Sequence, residues 1–124
     1  MKKVIATLNA PGAIGPYNQA IDTGTFVFAS GQIPINPADG SIPHGIKAQT
    51  QQAISNVVAI LNEAGLTLEN VVKTTVYLHD MGDFQAMNEV YGESFPAPYP
   101  ARSAVAVKEL PKKVLVEIEV IAAR

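Results

Sequence analysis

The sequence has 124 residues, 48% hydrophobic and 16% charged, with a formal net charge of −2. That is enough apolar material for one core, so residues 1–124 are expected to form a single domain, with no global positive field to draw nucleic acid or an anionic membrane. There is no cysteine, which removes disulfides, thiolate metal sites and thiol nucleophiles and fits a reducing compartment.

The N-terminus, Met1–Thr7, carries two lysines but only a short apolar run, unlike a secretory leader, and a cytoplasmic location is expected. The longest apolar stretches, Phe26–Ala29, Val57–Leu61 and Val114–Val116, are far too short to cross a bilayer. Lys3–Thr7 reads as a short strand and Asn9–Pro16 as a loop. Tyr17–Asp22 and Thr25–Ser30 are strands flanking a Thr23-Gly24 turn. Gly31–Gly45 contains Pro34, Pro37, Pro43 and Asp39-Gly40, and is expected to be loop. From Gly45 to Ala64 the period becomes helical, with Ile54, Val57, Val58, Leu61 and Ala64 on one face and Gly65 as the C-terminal cap. Val71–Leu78 is β-branched and strand-like. Asp80 and Asp83 open a second helix carrying Phe84, Met87, Tyr91 and Phe95 at helical spacing. Arg102–Lys108 and Lys113–Ala122 close the chain as strands joined by Glu109–Lys112.

This order gives an α/β (α+β) fold, a six-stranded mixed sheet with two crossover helices. Right-handed crossovers put both helices on one face of the sheet. The last strand is apolar on both sides, with Val114, Val116, Ile118 and Val120 against Leu115 and Ile121. Two helices cannot cover two faces, so the bare face is expected to meet another copy of the chain.

If the last two strands form a hairpin pairing Lys108 with Lys113, then Ala104 lies opposite Glu117 and Arg102 opposite Glu119. Arg102, Ala104, Ala106, Glu117 and Glu119 would then share the uncovered face. Spacing alone weighs an interface ion pair and an anion site about equally there. The site reading gains from Ala104 and Ala106, which leave room beside a guanidinium whose planar fork matches a carboxylate. Other candidates have plain structural explanations: Tyr17 as a strand-edge aromatic, Ser30-Gly31 as a turn, Asn88 as an amide bonded to backbone. His44 and His79 have no ligand-like spacing, so neither is read as metal-binding or catalytic.

Several segments together carry a resemblance. Ile14-Gly15-Pro16-Tyr17, Ala29-Ser30-Gly31-Gln32-Ile33-Pro34, Asn56-Val57, Val72-Lys73-Thr74-Thr75-Val76, Phe84–Tyr91, Pro100-Ala101-Arg102-Ser103-Ala104-Val105, Leu110-Pro111 and Val116-Glu117-Ile118-Glu119 occur in this order. This set resembles the reactive-intermediate deaminase (RidA, YjgF-type) family from about Ile5 to the C-terminus. The resemblance implies a chorismate-mutase-like fold, a homotrimer with a central barrel, and sites in clefts between subunits. It implies hydrolytic deamination of 2-imino acids, 2-iminobutanoate and 2-iminopropanoate, to 2-oxo acids and ammonia. These imines arise from enamines released by pyridoxal-phosphate dehydratases, and neither a metal nor an organic cofactor takes part. Matched position by position, Arg102 is the carboxylate-binding arginine and Glu117 the acid that positions water. Tyr17, Ser30, Gly31 and Asn88 line the pocket. Ala104 stands where the family often has cysteine and contacts ligand through its backbone. Two rivals are a non-catalytic module that binds 2-oxo acids through Arg102, and an RNA-cleaving inhibitor of translation. The acidic balance and the lack of a basic stripe or His–His or His–Lys arrangement disfavour nucleic acid.

Overall fold

The computed structural model describes residues 1–124. Its strands are β1 (Lys3–Ile5), β2 (Ala20–Asp22), β3 (Phe26–Gln32), β4 (Val71–Leu78), β5 (Ala101–Ala106) and β6 (Val116–Ala123), and its helices are α1 (Ile46–Glu63) and α2 (Phe84–Ser94). The Thr23-Gly24 turn joins β2 and β3 as expected, with Asp22 facing Val27 and Gly24 at φ 95°. The strand expected from Tyr17 begins only at Ala20, because Tyr17 turns back to donate its N–H to the Gly15 carbonyl at 2.8 Å.

In α1 the buried face is wider than the expected stripe and adds Ala53, Asn56 and Ile60, as fits a helix laid across a sheet. Its C-terminus closes as the glycine predicts. The Leu66 N–H reaches the Leu61 carbonyl at 2.8 Å and the Gly65 N–H reaches Asn62 at 3.0 Å, with Gly65 at φ 77°. Before α2, Asp80 caps a short 3₁₀ turn, Met81–Asp83, by accepting the Gly82 N–H at 2.6 Å.

All six strands form one sheet in the order β1-β2-β3-β6-β4-β5. Here the structure corrects the expected C-terminal hairpin. β5 pairs in parallel with β4, and β6 pairs antiparallel with β4 on its other side and with β3. Burial explains the choice. The inward residues of β6, Val116, Ile118, Val120 and Ala122, are all 2% exposed or less, as a central strand requires. The small residues of β5, Ala101, Ser103 and Ala106, are exposed and suit an edge. To reach the middle of the sheet the chain rounds the end of β4, where Val107 donates to Leu78 and His79 to Leu115. That path turns through Lys112 and Lys113, both left-handed at φ 55° and 56°.

Both helices pack on one face, over a core that includes Ile54, Val57, Ile60, Leu61, Met87, Val76, Leu78, Ile118 and Val120. The opposite face carries Phe28, Lys73, Thr75, Tyr77, Glu117, Glu119 and Ile121, with Phe26, Phe28 and Val105 40%, 44% and 46% exposed. No helix is long and apolar enough to cross a membrane.

Candidate active site

Because β4 separates β5 from β6, Arg102 is not opposite Glu119. Arg102 pairs with Thr74 and Ala104 with Val76, both inward residues of β4. Glu117 pairs with Tyr77 and Glu119 with Thr75, both on the open face. The expected single cluster is therefore two separate groups, one on each face of the sheet. Ala106 also lies with Arg102 and Ala104 in strand alternation, apart from the two carboxylates.

The first group is built on the edge strand and α2. Phe84, Asn88 and Tyr91 follow each other at helical spacing and turn one face toward Arg102. The guanidinium donates to Asn88 Oδ1 at 2.6 Å and lies over the rings of Tyr91 and Phe84, at 4.8 and 5.5 Å from their centroids. Tyr91 is itself fixed by a 2.8 Å hydrogen bond with Thr74 Oγ1 and by stacking on Phe95 at 4.3 Å. Burial pushes the Tyr91 phenol up, against the opposing pull of Thr74 and Arg102. The ion pairs of the chain are Arg124–Asp22 and Lys47–Glu89, so Arg102 has no carboxylate partner of its own. Its remaining N–H groups face a cleft of about 480 Å³ lined by Asn88, Tyr91, Gly92, Tyr99, Pro100 and Arg102. Tyr99 closes one side and donates to the Gly92 carbonyl at 3.0 Å. Ala104 packs against the core beside this group. A positioned fork without a counter-ion, walled by aromatic rings, has the chemistry to hold a carboxylate.

The second group surrounds an irregularity in β3. Ala29 pairs with Val120 and Gln32 with Ile118, so both Ser30 and Gly31 fall opposite Glu119 as a bulge. The Glu117 carboxylate lies against Gly31 so closely that a Cβ there would collide with it. Ser30 Oγ donates to the Asn18 carbonyl at 2.7 Å, which holds the segment leading from Tyr17. Tyr17 Oη accepts the Ile14 N–H at 3.3 Å, and the residue remains 47% exposed. Tyr17 and Gly31 line a cavity of about 430 Å³ with the Thr7–Gly12 loop and Lys112. Burial, and then the neighbouring Glu119, push the Glu117 carboxyl up.

Two buried amides that the periodicity hides hold these walls. Gln19 accepts the Thr7 N–H at 2.7 Å and donates to the carbonyls of Thr7, Ala10 and Pro11. Asn56 reaches out of α1 to the carbonyls of Ile33 and Ile35, at 3.1 and 2.9 Å. The sequence sign of the latter is the Asn56-Val57 segment, which carries part of the resemblance. The aromatic walls Phe84 and Tyr91 read as ordinary core spacing, and Tyr99 ends a proline-dense loop, Ser94–Tyr99, that the resemblance sets at the border of the pocket. No group of three or more His, Cys, Asp or Glu side chains is placed to hold a metal.

The profile of the family described as Endoribonuclease L-PSP matches residues 7–124. A RutC family protein of Pyrococcus horikoshii is 58% identical over 123 residues, spanning 98% of either chain. The 2-iminobutanoate/2-iminopropanoate deaminase of Escherichia coli K12 is 50% identical over 127 residues, covering 100% of this chain and 99% of that one. Among solved structures, E. coli TdcF with bound serine superimposes with a TM-score of 0.95 at 48% identity, over 99% of both chains. A profile match across nearly the whole chain, and relatives at half identity end to end, agree with the motifs in order along the sequence: this chain belongs to the Endoribonuclease L-PSP family, the family of the RutC and RidA proteins.

Proposed function

We propose that this chain hydrolyses reactive 2-imino acids, such as 2-iminobutanoate and 2-iminopropanoate, to 2-oxo acids and ammonia, in a site that two copies complete. The observation that carries the reading is Arg102, stacked on Tyr91 and Phe84, tied to Asn88, and facing an open cleft with no carboxylate partner. The name of the E. coli deaminase at 50% identity supports the reaction class. The serine held by TdcF supports the ligand class, since it carries a carboxylate and a nitrogen on one carbon, as a 2-imino acid does.

One chain presents Arg102 on its edge strand with Asn88 of α2 beside it, and Glu117 on the open face against Gly31, which lines a cavity with Tyr17. The half-exposed Phe26, Phe28 and Val105 give the open face an apolar surface for a second copy. Packing copies edge to open face in a closed ring, as a homotrimer, would set the arginine of one against the glutamate of the next. A small-molecule site with no cofactor, in a cytoplasmic enzyme, is the whole of the proposal.

The chemistry asks little of the protein. A protonated imine carbon is already electrophilic, so water adds without a covalent enzyme intermediate. Arg102 fixes the carboxylate, which orients the planar imine, and Asn88 and the aromatic walls fix Arg102. Glu117 accepts a hydrogen bond from the attacking water and aims it at the carbon, while Tyr17, Ser30 and Gly31 shape the pocket and Ala104 leaves it room. Addition of one water to the iminium and loss of ammonium gives the 2-oxo acid. An RNA-cleaving role is disfavoured by a cleft with one arginine and a chain charge of −2.

The test generates the imine with a coupled amino-acid oxidase and follows ammonia, subtracting the uncatalysed decay. Wild type is expected to exceed that background, and Glu117→Gln to bind 2-oxobutanoate normally while turning over slowly. Wild type at background with intact 2-oxobutanoate binding would make the chain a ligand-binding module instead.

A further inference from the structure

Tyr77 and Glu119 lie beside Glu117 on the open face, and the reaction described above uses neither. Tyr77 stands directly across from Glu117 in the β4–β6 register, and its hydroxyl donates to Glu119 Oε1 at 3.1 Å. Glu119 is two residues beyond Glu117 on the same face, which sets the two side chains roughly 7 Å apart along the strand. The phenol therefore spans the pair, its ring beside one carboxylate and its hydroxyl on the other.

Within one chain the strands around Glu117 bring few charged groups, with Lys112 lining the cavity beyond Gly31, and in the proposed ring the next copy's Arg102 faces Glu117 across the substrate. β6 contributes Glu119, β4 contributes Tyr77, and β3 contributes Gly31, which has no side chain. No ion pair within the chain engages either carboxylate, and the next copy's Arg102 is committed to the substrate carboxylate. Lys73, on the same face of β4, is engaged by Ser103 Oγ at 3.5 Å. The space beside Glu119, a concavity of about 200 Å³, is lined by Phe28, Lys73, Thr75 and Ile121. Glu119 has a hydrogen-bond donor fixed on it, whereas Glu117 has none in the chain and is pressed against backbone.

We infer that Glu119, held by the Tyr77 hydroxyl, is a positioning residue for Glu117, a second carboxylate fixed on the same face that keeps the Glu117 carboxylate turned onto Gly31. Two carboxylates on one face resist ionising together, so Glu119 raises the proton affinity of Glu117. Burial and Glu119 both push the Glu117 carboxyl up, which agrees with this placement. For a water-positioning base a raised proton affinity is useful, because an acceptor titrating nearer the working pH takes a proton from water more readily. The inference rests on the reading of Glu117 as the group that addresses the attacking water.

The test is a carboxyl titration of the full-length protein labelled with ¹³C at the glutamate Cδ, run alongside the pH profile of kcat/KM. One signal should titrate above the ordinary glutamate value of about 4.3 and be missing in Glu117→Gln. Glu119→Gln keeps an acceptor for the Tyr77 hydroxyl and removes only the charge. It should move the Glu117 titration, and the acid limb of the profile with it, down by about half a pH unit or more. Glu119→Asp keeps the charge and should move it by less than half as much. A Glu117 signal unmoved in Glu119→Gln, or moved equally in the two Glu119 variants, overturns the inference, since packing alone would then be at work. The proposed hydrolysis fails by a different sign: ammonia release at background in wild type, or an acid limb that persists in Glu117→Gln, whatever the titration shows.

Discussion

Replacing Arg102 tests the carboxylate site most sharply, because the structure says what each substitution would leave behind. Arg102→Ala removes a guanidinium that Asn88 holds at 2.6 Å and Tyr91 backs at 4.8 Å. The bidentate contact it offers a substrate carboxylate is charge-assisted, and losing it costs on the order of 3 kcal/mol, roughly a hundredfold in kcat/KM. Arg102→Lys keeps the charge but loses the fork and the flat face that stacks on Tyr91 and Phe84, so about ten- to a hundredfold should be lost. Asn88→Ala leaves the fork and frees its orientation, with an expected loss of about tenfold or less. The carboxylate is not altered in the reaction, so most of each loss should fall on KM, with a smaller fall in kcat from poorer aim. The assay is ammonia release from oxidase-generated imine at several concentrations, paired with calorimetric binding of 2-oxobutanoate. The reasoning is refuted if Arg102→Ala binds 2-oxobutanoate like wild type, or if its only defect is dissociation of the oligomer.

Glu117 should give kcat/KM an acid limb above the ordinary glutamate range, because burial and Glu119 push its carboxyl up, and activity should fall as pH drops through that value. For folding the same shift has the opposite sense. Its stabilising contribution is complete below the unfolded value and is lost as pH rises through the folded one, so Glu117→Gln should melt no lower than wild type at neutral pH. Gly31→Ala should lower turnover by about tenfold or more with little change in melting temperature, since the added Cβ meets the Glu117 carboxylate while the backbone there is not left-handed. Arg124 holds the buried Asp22 carboxyl below its usual range through a 2.6 Å hydrogen bond, helped by the Gly24 N–H. That stabilisation is present above the ordinary aspartate value of about 3.9 and is lost as pH falls through the lower folded value. Thermal melts of Arg124→Ala should therefore lie below wild type at pH 7 and converge with it in acid. Equal gaps at both pH values would show that Arg124 acts through packing alone.

Local signals in the sequence account for most of the fold. Gly65 ends α1, Asp80 caps the turn into α2, and Thr23-Gly24 makes the first hairpin, each for a reason that stays within a few residues. Strand order is a different matter. Pairing sequence neighbours is the usual outcome, and the Glu109–Lys112 segment looked like a hairpin loop, yet β6 entered between β3 and β4. The uniform burial of Val116, Ile118, Val120 and Ala122 drives that choice, and their pattern already hinted at a central strand. The site follows from that order: a C-terminal hairpin would set Arg102 and Glu117 on one face, whereas β4 between β5 and β6 puts them on opposite faces. The stacking of Arg102 on α2 and the clamp of Gln19 on the Thr7–Pro11 loop depend on contacts across the fold that no spacing in the chain encodes.

The central claim is that one copy supplies Arg102 and the next supplies Glu117, and mixing two inactive variants tests it most directly. Arg102→Ala and Glu117→Gln, each with little kcat/KM as a pure assembly, would be unfolded and refolded together in equal amounts, then assayed for ammonia release at substrate well below KM. If every site takes its arginine from one copy and its glutamate from the neighbour, random mixing leaves roughly a quarter of the sites with both wild-type groups, whatever the size of the ring. The account predicts recovery of about a quarter of wild-type turnover in the mixture. Turnover no greater than the mean of the two pure variants, in oligomers shown to contain both chains, would contradict it.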